Sequence, residues 1–125
     1  MLAHGFAQTG SCWGPLAGWL RAEGHDVATP NLAGHGAKPM PAAGLPGTAR
    51  ALGEQGGPAV YVGYSFGGRV ALRLAMDRPD LVAGLVLIGA TAGLEDPAER
   101  AARVASDELL ARSIEETGVA EFLDR

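Results

Sequence analysis

Val60-Tyr61-Val62-Gly63-Tyr64-Ser65-Phe66-Gly67-Gly68-Arg69-Val70-Ala71-Leu72 reads as a short buried strand, a serine flanked by glycines, and the start of a helix. The spacing Gly63-x-Ser65-x-Gly67 is that of a sharp strand-to-helix turn that holds a serine hydroxyl out at the end of a sheet. Glycine is needed two residues to either side of the serine, because the chain doubles back there and a side chain would strike the neighbouring strand or helix. Ser65 then stands at a helix N-terminus, where unpaired N–H groups favour developing negative charge. The five-residue pattern alone also describes an ordinary Gly-Ser turn. What makes Ser65 a candidate nucleophile is its setting, with an apolar β-branched run before it and an apolar helical pattern after it.

Downstream, Phe66 to Asp77 is apolar nearly all round, through Val70, Ala71, Leu72, Leu74, Ala75 and Met76, which predicts a helix buried against a sheet. Arg78-Pro79-Asp80 ends it. Leu81 to Gly84 reads as a link, and Leu85-Val86-Leu87-Ile88-Gly89 as a strand covered on both faces. Upstream, Met1-Leu2-Ala3 reads as the last turn of a strand whose earlier part is absent. Cys12 to Glu23 has the pattern of an amphipathic helix closed by Gly24. His25 to Pro30 reads as a short strand, Asn31 to Gly36 as a glycine-rich loop, and Ala37 to Pro46 as an irregular connection. Thr48 to Gln55 then forms a short helix that leads through Gly56-Gly57-Pro58 into the central strand. Strands and helices alternate, so the expected class is α/β, a mainly parallel sheet with flanking helices.

Beyond Ala90 the composition changes, with nine Asp and Glu against four Arg from Glu95 onward. Asp96-Pro97-Ala98-Glu99 has the layout of a helix start: Asp as N-cap, Pro at the first position and Glu at the third. That helix is expected to reach Ser113 or Glu116 and end at Gly118, with Val119 to Arg125 beginning another. The expected division is residues 1–90 as a core and 91–125 as the start of a helical cap inserted over the sheet.

The chain has 125 residues, 47% of them apolar, and a formal charge of −4, which suits one globular domain or part of one and disfavours nucleic acid as a partner. Its nineteen glycines, about double the usual share, imply many tight turns. Cys12 is the sole cysteine, which excludes an internal disulfide and fits a reducing compartment. No apolar run reaches membrane-spanning length and no basic segment precedes a long apolar one, so a cytoplasmic location is expected.

His4-Gly5-Phe6 is the second candidate element. A His-Gly pair at a strand end, upstream of Gly-x-Ser-x-Gly, is where this chemistry places a loop donating one of two N–H groups to an oxyanion. The expected donors are the amides of Phe6 and Phe66, with His4 as a structural hydrogen-bonder. A serine also needs a base, and in this order of elements the base is a histidine following both the serine and an acid. All three histidines, His4, His25 and His35, precede Ser65. The catalytic histidine and its acid are therefore expected to lie outside the chain, and His35 is a poor substitute because the loop after an earlier strand does not supply the base.

His4-Gly5-Phe6, Asn31-Leu32-Ala33-Gly34-His35-Gly36 and Gly63-Tyr64-Ser65-Phe66-Gly67-Gly68 together resemble the α/β-hydrolase superfamily. A narrower resemblance rests on Gly63 to Ala71, Ala92-Gly93-Leu94 and Glu99 to Asp107. These look like the 2-succinyl-6-hydroxy-2,4-cyclohexadiene-1-carboxylate synthases, pyruvate-eliminating enzymes of menaquinone biosynthesis. The resemblance covers the N-terminal part of such an enzyme, and Asn31-Leu32-Ala33 stands where Asp-Leu-Pro is more usual. It implies a partial α/β-hydrolase fold, a small polycarboxylate as substrate, and neither a metal nor an organic cofactor. Arg69 lies one helical turn after Ser65 and can face the same pocket. By resemblance, Arg69 and Arg103 hold the substrate carboxylates through bidentate guanidinium contacts, with Tyr64 a weaker contact. Arg103 is also spaced to pair with Glu99 or Asp107, and Arg69 to solvate a helix edge. Three readings follow: a lyase eliminating pyruvate, a serine esterase or thioesterase of the same fold, and a non-catalytic fragment or binding module.

Overall fold

The structure is a computed structural model that describes residues 1–41 and 43–124. It separates into two units, Met1–Ala92 and Gly93–Arg125. The first unit holds a parallel three-stranded sheet made of β1 (Leu2–Ala3), β2 (Ala59–Tyr64) and β3 (Val82–Ile88), with β2 in the centre. Its helices are α1 (Gly14–Ala22), α2 (Gly44–Gly56) and α3 (Phe66–Asp77), and a short 3-10 turn at Gly10–Trp13 leads into α1.

Strand alternation sorts the core onto two faces. Ala3 and Tyr61 pack with Leu32, Ala49, Leu52, Val70, Ala71 and Leu74, which come mainly from α2 and α3. Leu2 and Val62, the neighbouring residues in each strand, pack instead with Trp13, Ala17, Leu20 and Val27 around α1. Burying Tyr61 leaves its hydroxyl needing a partner, and it donates to Gly57 O at 2.7 Å. The sheet and its helices thus form the α/β layering that the alternation of elements predicts, and α3 occupies the span that its apolar pattern predicts.

Three local expectations differ from the structure. His25 to Pro30 is not a strand: a single bond, Leu2 N–H to Ala28 O at 2.9 Å, ties it to β1, and Pro30 has no N–H to extend a ladder. Helix α2 begins at Gly44 rather than Thr48, with Pro46 in the first turn, where a missing N–H leaves no bond unmade. Strand β3 begins at Val82 rather than Leu85. Its far end is not covered, since Val86, Leu87 and Ile88 are 46, 37 and 42% exposed at the edge of the sheet.

In the second unit, α4 (Pro97–Thr117) starts where its cap residues predict. The Asp96 carboxylate accepts from the N–H groups of Ala98 at 2.7 Å and Glu99 at 3.0 Å, and Gly118 ends the helix. The short α5 (Val119–Leu123) follows. Among the described residues no helix is long and apolar enough to cross a membrane, and no group of three or more His, Cys, Asp or Glu is placed to hold a metal ion.

Candidate functional site

The end of β2 turns into α3 through Ser65 alone. Its N–H donates to Ile88 O at 2.8 Å, the last rung of the sheet, and its carbonyl accepts from Arg69 N–H at 3.1 Å, an early rung of the helix. One residue can serve both only by adopting φ 49° and ψ −111°, a left-handed conformation that costs a non-glycine residue about 1–3 kcal/mol. The glycines make room for this turn. A Cβ on Gly63 would lie 2.5 Å from Gly67 O and from Gly68 Cα, and one on Gly67 would run into the carbonyls of Ala3 and His4. Gly68, which the five-residue spacing does not include, is equally constrained, since its Cβ would meet Ala90 Cβ at 2.5 Å.

Ser65 is half-buried, and its hydroxyl has no hydrogen-bond partner among the described residues. The amide of Phe66, at the first position of α3, has no acceptor within its helix and none among the described residues. Across the end of the sheet, Gly5 to Gln8 forms a tight turn. Gln8 N–H donates to Gly5 O at 3.3 Å and the Gln8 side-chain oxygen accepts from Gly5 N–H at 2.9 Å, with Ala7 left-handed at φ 59°. Phe6 sits on this turn. Gln8 is a positioning residue that sequence reasoning misses, because a side chain turning back three residues leaves no periodic signal.

His4 anchors the turn from below. It is fully buried, its Nε2 accepts from Leu32 N–H at 2.9 Å, and its Nδ1 lies 2.8 Å from Gly5 O. An amide N–H can only donate and a carbonyl can only accept, so both bonds exist together only in the neutral ring protonated on Nδ1. Burial, with a smaller contribution from the neighbouring His35, pushes the His4 pKa below the ordinary 6.5, although the bond to Gly5 opposes the shift. Asn31 ties the same loop to the start of the 3-10 turn, its side-chain oxygen accepting from Gly10 N–H at 2.8 Å. An aspartate offers the same acceptor, which is why Asn serves at a position where Asp is more usual.

His35 lies among these groups. Its ring stacks on Phe66 at 5.6 Å between centroids and meets His4 and Phe6 edge-on at 4.9 and 6.0 Å. No hydrogen bond joins it to Ser65. The guanidinium of Arg69 lies 5.8 Å over the other partner of that stack, the Phe66 ring, and has no carboxylate partner among the described residues. Tyr64 spreads across the sheet end between Gly5 and Gly89. The first unit thus gathers Ser65, Phe66, Phe6, Tyr64 and Arg69 around the ends of β1 and β2. Arg103 belongs to the second unit, on α4, where its Nε donates to the Asp107 carboxylate at 2.8 Å.

A parallel sheet whose central strand passes through a left-handed serine into a helix defines a class, and the chain belongs to the alpha/beta hydrolase family, whose model matches residues 1–125. Among similar proteins, the lipase LipV of Mycobacterium tuberculosis is 43% identical over 98 residues, which are 74% of this chain and 37% of that protein. The Bacillus subtilis protein named "Putative 2-succinyl-6-hydroxy-2,4-cyclohexadiene-1-carboxylate synthase" is 42% identical over 62 residues, half of this chain and 23% of that protein. A thermophilic esterase from Thermogutta terrifontis, solved with malate bound, superposes with a TM-score of 0.77 at 27% identity over 94% of this chain and 44% of its own. The matched part of the chain therefore spans less than half the length of each.

Proposed function

We propose that Ser65 is the nucleophile of a serine-dependent hydrolase of carboxylic esters, with the amides of Phe66 and Phe6 receiving the charge that develops on the carbonyl oxygen. The left-handed backbone of Ser65 carries this reading. It holds a half-buried hydroxyl, with no hydrogen-bond partner among the described residues, directly before the open amide of Phe66. In the reaction Oγ adds to the ester carbonyl as its proton passes to a base, the alcohol departs, and water releases the acid from the acyl-enzyme. The chemistry requires neither metal nor organic cofactor. None of His4, His25 and His35 hydrogen-bonds to Ser65 among the described residues, so none of the three is assigned as the base. The lipase and esterase relatives support the ester as substrate.

A fluorophosphonate probe tests this directly. Covalent labelling should map to Ser65 by peptide mass spectrometry and vanish in Ser65→Ala. Labelling elsewhere, or undiminished in Ser65→Ala, overturns the assignment.

Arg69 favours a second, finer reading, because an exposed guanidinium beside Phe66 with no carboxylate partner among the described residues suits a carboxylate-bearing substrate. Here Ser65 and its base remove a proton from a polycarboxylate held by Arg69 and Tyr64. Pyruvate leaves, and the product is 2-succinyl-6-hydroxy-2,4-cyclohexadiene-1-carboxylate. The Bacillus relative supports this lyase. Pyruvate release that falls about tenfold or more in Arg69→Lys, without turnover of p-nitrophenyl esters, selects it. Ester turnover without pyruvate selects the hydrolase.

A further inference from the structure

We propose that His35 is a substrate-contacting residue whose Nε2 accepts a hydrogen bond from a hydroxyl on the substrate, giving the site a preference for hydroxy-substituted esters. The proposal rests on the Ser65 reading for where an ester lies. The ring is fixed in both tautomer and position. Its Nδ1 stands 3.1 Å from Ala33 O, a group that can only accept, so Nδ1 carries a proton, and in the neutral ring this tautomer leaves the lone pair on Nε2. Three aromatic neighbours then hold the plane, Phe66 by stacking and His4 and Phe6 by their edges.

His4 makes an instructive contrast, since both of its nitrogens are committed to backbone groups. The Nε2 of His35 has no hydrogen-bond partner among the described residues. It is not sealed off either, since the one buried, unpartnered side-chain nitrogen or oxygen among them is Trp13 Nε1. His35 therefore carries an open acceptor on a ring packed against the side chains of Phe66 and Phe6, the two residues assigned to the oxyanion site. Little freedom is lost when such a group binds, and a site built to accept from a hydroxyl discriminates against the analogue that lacks it. Without a hydrogen bond to Ser65, His35 acts on the substrate and not on the nucleophile.

The test is an NMR titration of the 125-residue chain, labelled with 15N in its imidazoles, using methyl 2-hydroxybutanoate, methyl 3-hydroxybutanoate and methyl butanoate. At least one hydroxy ester should bind about tenfold more tightly than methyl butanoate and shift the His35 Nε2 resonance. His35→Phe keeps the aromatic contacts and should bring the three affinities together, while His35→Gln, with a side-chain oxygen to accept, should keep part of the preference. Equal affinities in the unaltered chain, no detectable binding of any ester, or an unchanged ratio in His35→Phe overturns the proposal. If the fluorophosphonate fails to label Ser65 while the preference holds, the nucleophile falls and His35 stands. If Ser65 is labelled while the affinities are equal, the nucleophile stands and His35 falls.

Discussion

Ala7 and Ser65 are the two non-glycine residues with left-handed backbone among those described, and both flank the candidate oxyanion site. Ala7 follows Phe6 and Ser65 precedes Phe66. Strain of this kind persists only where surrounding contacts enforce it, and at Ser65 those are the bonds to Ile88 and Arg69, for which the glycines leave room. Gly63→Ala should therefore lower the unfolding free energy by about 2–3 kcal/mol, because the new methyl meets backbone atoms that cannot swing aside. An unchanged urea midpoint would refute this.

His4 gives a second prediction at the same scale. Its folded pKa lies below the unfolded value of 6.5, so as pH falls through that range the unfolded chain takes up a proton before the folded one does. Its contribution to stability is thus complete above the unfolded pKa and is lost as pH falls through the folded one. Denaturant unfolding between about pH 7.5 and 4.5 should show a steeper acid loss in the unaltered protein than in His4→Gln, which does not titrate. Parallel curves would show that His4 does not carry the effect.

At the scale of elements, periodicity and caps were legible and lone hydrogen bonds were not. Helix α3 shows its span through an apolar pattern, and α4 through Asp96, Pro97 and Glu99, because both signals are local. Asp96→Ala removes an acceptor shared by two N–H groups and should weaken the first turn of α4 by about 1 kcal/mol. Hydrogen exchange at Ala98 and Glu99 should then quicken roughly fivefold, with β2 unaffected. Segment His25 to Pro30 has the composition of a strand but makes one bond to β1, a fact of pairing that no residue in the segment announces.

For the molecule as a whole, β3 leaves a row of apolar side chains at a sheet edge, and Val82 to Ile88 contains neither a charge nor a proline to guard it. The chain should self-associate with rising concentration. Val86→Lys, on a side chain already 46% exposed, should suppress that association at little expense in stability. Light scattering over a concentration series reads both, and equal scattering by the two chains would remove the edge as the cause.

From residues alone came the α/β class and the strand-to-helix turn at Ser65, since glycine spacing, apolar runs and chain order are local properties written in adjacent positions. Only the tertiary structure decided that Gln8 closes the Phe6 turn, that His4 is locked as one tautomer by Leu32, and that His35 lies on Phe66 with one nitrogen open. Those depend on residues up to 31 positions apart meeting through packing of the sheet and its loops, and a hydrogen bond or ring contact across such a separation has no signature in the order of amino acids.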